Sequence, residues 1–147
     1  GYREEFLLSQ IHSELSSIFL INYGSNFPAD AWQDVNVHGW RYVGTGVEML
    51  GQRDIFAQTN ELLSRGFLVK YSQSSLENDV NMFAFWAFTR GEKLRDLSSK
   101  YVRIGQKYQL VVDFYKSIHP DMDIAVEPET SSLVNWARPA LSLSRGG

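Results

Sequence analysis

Apolar residues at 8, 11, 15 and 18 recur with helical spacing, and a second set at 7, 11, 18 and 19 widens them into a stripe. The pattern predicts a helix from about Phe6 to Phe19 with that stripe turned toward a core. The other side carries Ser9, Ser13, Ser16 and Ser17, with Glu14 among them. Serine is a mediocre helix former whose hydroxyl competes for backbone hydrogen bonds, so helix propensity did not select this face. Gly24, Asn26 and Pro28 then supply a cluster of turn formers that ends the helix.

Residues 28–46 mix Trp32, Trp40 and Tyr42 with Gly39, Gly44 and Gly46. They read as an ordered irregular connection, because tryptophans are rarely left in water and the glycines break any period. A second helix is predicted from about Arg53 to Arg65, with Ile55, Phe56, Leu62 and Leu63 inward and Gly66 as its stop. A third opens at Ser74 or Ser75, either of which can cap it, with Glu77 and Asp79 in its first turn at the positive end of the helix dipole. Its body, Val80 to Phe88, is almost wholly apolar and reads as buried on most sides. Gly91 punctuates. A last helix spans about Ser99 to Ile118 with a stripe at Tyr101, Ile104, Tyr108, Val111, Val112 and Tyr115, and Pro120 enforces its end. Residues 127–147 carry Leu133, Trp136 and Leu141 without a clear period and read as a C-terminal tail. The expected fold is mainly α, about four helices with long ordered connections, in one domain over 1–126.

The chain has 147 residues, 44% hydrophobic and 14% aromatic, enough for one domain with a sizeable core. A formal net charge of -3, with its bases scattered, gives no electrostatic reason to expect nucleic acid or an anionic membrane as partner. With no cysteine, disulfides, thiolate catalysis and cysteine-ligated metals are excluded. No apolar run approaches the roughly 20 residues of a membrane span. The chain opens inside a helix pattern, as an excised segment would.

The candidate chemistry centres on Glu14 and its neighbours. Ile11 to Phe19 resembles the active-site helix of the zinc-binding metallopeptidases found as surface lipoproteins in Bacteroidetes-type bacteria, the substrate-import-associated zinc metallohydrolases. That helix reads roughly H-H-E-F-x-H-I-L. Phe67 to Ser72 resembles the family's Gly-Phe-Val-x-x-Tyr-Ala run, and Asn78 to Phe83 stands where the family has E-D-F-A-E-M. The resemblance covers roughly residues 6–124. Aligned on Glu14, it puts the two zinc histidines at Ser13 and Ser17 and the third ligand at Asn78.

Two imidazoles four apart on a helix can grip one zinc ion while the intervening glutamate polarises the metal-bound water. Serine hydroxyls are poor zinc ligands. Without the ion, water keeps a pKa near ~15.7, and Glu14 is a general base with nothing to activate. The resemblance therefore implies a catalytically inactive member that holds no zinc. It would serve as a binding or scaffold module for a protein, peptide or glycan beside an outer-membrane import system, lipid-anchored at the cell surface or in the periplasm.

Three alternatives stand beside it. One is an active metal-dependent hydrolase with Glu14 as base and an atypical metal site. Another is a helical interaction domain unrelated to peptidases, for which residues 6–22 and 76–88 have no reason to face each other. A third is a binding platform of Trp32, Trp40, Tyr42 and Trp136, whose flat faces suit a glycan or a protein, against the simpler role of sealing the core. His12 lies two residues from Glu14, about 200° away around a regular helix, so the two cannot chelate one ion.

Overall fold

A computed structural model describes residues 2–125, and the predicted tail, with Leu133, Trp136 and Leu141, lies outside the described residues. Within them the chain is mainly helical and contains no strand. Four helices have ten residues or more: α1 (Tyr2–Tyr23), α5 (Leu76–Thr89), α6 (Gly91–Lys100) and α7 (Val102–Ile118). Shorter ones, α2 (Ala29–Val35), α3 (Gly46–Leu50) and α4 (Asn60–Ser64), occupy the connections, with 3₁₀ turns at Gly24–Asn26 and Lys70–Gln73. No described helix is long and apolar enough to cross a membrane.

Helix α5 is the axis of the fold because its sequence leaves no polar face after the first turn. All residues from Asp79 to Ala87 are buried. Ser75 caps it, its hydroxyl accepting from the Asn78 N–H at 3.1 Å. α1 lies along one side of α5. α7 and the 70–73 turn close the others, and α6 folds back on α7. Phe83, Val80, Leu68, Leu94, Ile104, Val111 and Phe114 are almost fully buried at the centre, and Phe27 and Trp32 from the first connection complete it.

Several elements differ from the sequence expectation for local reasons. The helix expected from Arg53 is confined to Asn60–Ser64, capped by Thr59, whose hydroxyl accepts from the Leu62 N–H at 3.2 Å. Gly66, at φ +92°, stops it as expected, since that left-handed turn favours glycine. The 28–46 connection contains α2, which places Trp32 in the core. The expected last helix is α7 and starts at Val102 rather than Ser99, because the backbone is extended at Tyr101, where the unexpected helix α6 from Gly91 ends. Only Leu94 and Leu97 of α6 are buried, in a short and mostly charged helix. Gly105 sits where α6 and α7 meet; a Cβ there would lie 2.8 Å from the Ser98 carbonyl oxygen, so glycine sets their close approach.

The largest correction concerns α1. Of the stripe expected to face the core only Phe19 packs against it; Leu7, Leu8, Ile11, Leu15 and Ile18 are 61, 42, 53, 40 and 48% accessible. The serine side packs on α5 instead, with Ser16 fully buried. The bulky apolar surface of α5 explains the inversion. Small side chains on α1 let the two backbones approach and leave the volume to the α5 aromatics.

Candidate functional site

Ser13, Glu14 and Ser17 project from α1 into a cleft of about 1040 Å³ whose facing wall is α5, contributing Asn78, Asn81 and Trp86. All four residues singled out from the sequence therefore line one concavity. Their positions follow from helical spacing: 13, 14 and 17 share a flank of α1, and 78, 81, 82, 85 and 86 form one face of α5. Gly44 to Val47 and Tyr71 form the floor and rim. A Cβ on Gly46 would sit 2.5 Å from the Tyr71 hydroxyl and 2.6 Å from Asn78 Nδ2, so a larger residue there would push these two side-chain ends aside.

Neutral hydrogen bonds tie the polar groups of the cleft together. Asn81 Nδ2 donates to Ser17 Oγ at 2.9 Å, bridging α5 and α1. Asn78 Nδ2 donates to Ser74 Oγ at 2.9 Å, and Ser74 Oγ donates to the Tyr71 carbonyl at 2.8 Å. Asn81 Oδ1 and Trp86 Nε1 are buried without a partner. Burial, with the Glu77 carboxylate as a second cause, pushes the Tyr71 phenol above its ordinary value. Cations cover the far end, where Arg90 lies 5.2 Å and Lys93 5.1 Å from the Trp86 ring. Glu14 is exposed to solvent at the cleft edge.

This donor set does not fit zinc. Beside the carboxylates of Glu14 and Glu77 the cleft offers two hydroxyls, one already accepting from an amide, and two neutral carboxamides, with no imidazole or thiolate to complete a site. Among the described residues no group of three or more histidines, aspartates and glutamates is placed to hold a metal ion. No family model, curated protein or solved structure matches the chain. The resemblance accordingly rests on the residues of the chain alone.

The histidines serve elsewhere. His12 stacks on Phe88 with ring centroids 4.3 Å apart and planes at 6°, and burial pushes its imidazole below the ordinary value. His38 and His119 are exposed. The aromatic platform is not formed by the described residues. Trp32 is fully buried, and Trp40 lies half-buried between Phe67 and the Arg65 guanidinium.

Sequence reading missed a buried charge cluster behind the cleft. Asp79 Oδ2 accepts from Lys107 Nζ at 2.6 Å, Tyr42 Oη at 2.8 Å and Trp32 Nε1 at 3.2 Å. Asp79 and Lys107 are both fully buried, so no solute reaches them. The cluster binds α2, α5, α7 and the 36–45 connection into one body. A signal was present: Lys107 falls on the 104, 108, 111 stripe of α7, where a lysine is tolerated only with a partner.

Proposed function

We propose that this chain is a catalytically inactive relative of the zinc metallopeptidases it resembles and works as a binding or scaffold module through the α1–α5 cleft. The observation that carries this reading is the convergence of Ser13, Glu14, Ser17 and Asn78 on one cleft from two helices 60 residues apart in sequence. An accidental alignment gives those positions no reason to meet. The chemistry of the lining also suits binding better than catalysis. Amides and hydroxyls beside an aromatic wall, with Glu14 and Glu77 and the cations Arg90 and Lys93 also lining the cleft, offer hydrogen bonds, charge and apolar contact to a peptide or glycan. A place at the cell surface or in the periplasm, lipid-anchored beside an outer-membrane import complex, belongs to the same proposal and follows from the resemblance.

The test is zinc content after dialysis against trace zinc, for wild type and for a Ser13→His/Ser17→His/Asn78→Glu variant. The expected outcome is a metal-free wild type and about one zinc per chain in the variant, because histidines four apart on α1 share one face and position 78 lines the same cleft. One zinc per wild-type chain would move the hydrolase reading to the front. A variant that folds yet binds no zinc would remove the alignment on which the proposal stands.

A further inference from the structure

Helix α1 carries an apolar face that no described residue covers. The five residues named above give one helix five large aliphatic side chains turned to solvent on this face, while Ile21, 79% exposed, lies on the cleft flank. Scattered exposed aliphatics are ordinary, but a contiguous stripe along a single helix marks an interface. We propose that this stripe is the interface of a homodimer in which α1 of one copy packs antiparallel on α1 of another.

Self-complementarity of the spacing argues for a second copy as the occupant. Leu8, Ile11, Leu15 and Ile18 are separated by three, four and three residues, the a and d spacing of a helix–helix seam. Placed antiparallel about the level of residue 13, Leu8 of one copy meets Ile18 of the other and Ile11 meets Leu15. The same two pairings then repeat beyond the dyad. All four layers join one leucine to one isoleucine, as an isologous two-fold contact requires. Leu7 extends the seam at its margin.

A parallel pair is disfavoured. Leucine at a with isoleucine at d is the reverse of the parallel two-stranded preference. The area is that of a weak dimer: the five side chains expose roughly 450 Å² per copy, so pairing them buries about 900 Å², below a standard interface and in the range of weak association. Glu14 borders the stripe on its cleft side, where its carboxylate stays in water. The inference does not depend on what the cleft binds.

The experiment is sedimentation equilibrium from about 1 to 200 µM, a range that brackets the micromolar affinity expected of an interface this small. Wild type should rise toward twice the monomer mass. Ile11→Glu/Ile18→Glu should weaken the dimer at least about 100-fold while keeping wild-type circular dichroism and melting, since both positions face solvent in the monomer. Val102→Glu, at an exposed position on α7, should leave the dimer unchanged. The chain has no cysteine, so register can be read directly. Mixed Ile11→Cys and Leu15→Cys chains should form the mixed disulfide in preference to either homodisulfide.

A wild type that is monomeric throughout overturns the proposal. A monomer destabilised by Ile11→Glu/Ile18→Glu would show that residues 126–147 cover the stripe within one chain. Preferred homodisulfides would show a parallel pair and equally overturn it.

Discussion

The Asp79 carboxylate takes all three of its donors on Oδ2, while Oδ1 is buried without a partner. Burial pushes this carboxyl above its ordinary value, and the Lys107 ammonium and the Tyr42 and Trp32 donors act against that shift. Burial likewise pushes Lys107 down, with Asp79 opposing it. Removing one partner leaves the other charge buried alone, so Lys107→Met should cost about 3–5 kcal/mol in urea unfolding. Asp79→Leu/Lys107→Met should recover most of that loss, because a buried pair exchanged for apolar side chains is often close to neutral.

The pH dependence of the single variant has a definite sign. Without Lys107 the folded-state pKa of Asp79 rises further above the unfolded value near 3.8. A raised carboxyl contributes stability at low pH that is lost as pH climbs through and beyond 3.8. The deficit of Lys107→Met relative to wild type should therefore shrink toward pH 4 and be largest at neutral pH. A deficit independent of pH would mean that the carboxylate keeps its charge through other partners.

At the scale of elements, the α1–α5 contact depends on small side chains, and it is sensitive to volume. Ser16 is fully buried and faces the Tyr115 phenol of α7, so Ser16→Leu has no space to enter and should destabilise by about 1–3 kcal/mol. Ser16→Ala, which adds no volume, should cost only about 1 kcal/mol, the loss of the hydroxyl that faces the buried Tyr115 phenol. If Ser16→Leu melts like wild type, α1 does not pack closely on the core.

The same contact shows what the sequence made legible. α5 could be read from its cap and its unbroken apolar body, and α7 from its stripe and Pro120, because burial on most sides leaves one periodic solution. α1 was recognised as a helix but turned the wrong way. Periodicity reports that an apolar face needs covering, not whether this chain supplies the cover. α6 and the short α2 have no counterpart in the expected elements, α6 because it is short and mostly charged around its two buried leucines, α2 because it is only a seven-residue turn of helix. The cleft residues were found through the motif around Glu14, whereas the Asp79–Lys107 pair, which no motif marks, emerged only from the packing.

Over the whole molecule, stability is unevenly distributed. α5 and α7 are held by the aromatic core and the buried ion pair, while α1 is attached along one serine-rich side. Its larger contacts there are the Phe19–Tyr115 edge contact at 5.4 Å and the His12–Phe88 stack. Elements with little buried apolar surface open below the global unfolding free energy, so α1 should exchange its amide hydrogens before α5 and α7. His12 makes that opening depend on pH. Its imidazole is depressed below 6.5 in the folded state by burial, so it contributes stability above 6.5 that is lost as pH falls through the folded value. After correction for intrinsic rates, exchange in α1 should accelerate between pH 7.5 and 5.5 while that of α5 stays constant. His12→Phe, which keeps the stack and removes the titration, should abolish the acceleration. Dimerisation through the outer stripe acts on the same helix, so α1 protection should also rise with protein concentration at fixed pH, by mass action on the folded form. Protection in α1 equal to that of α5 at every pH and concentration would mean that α1 opens only with the whole fold.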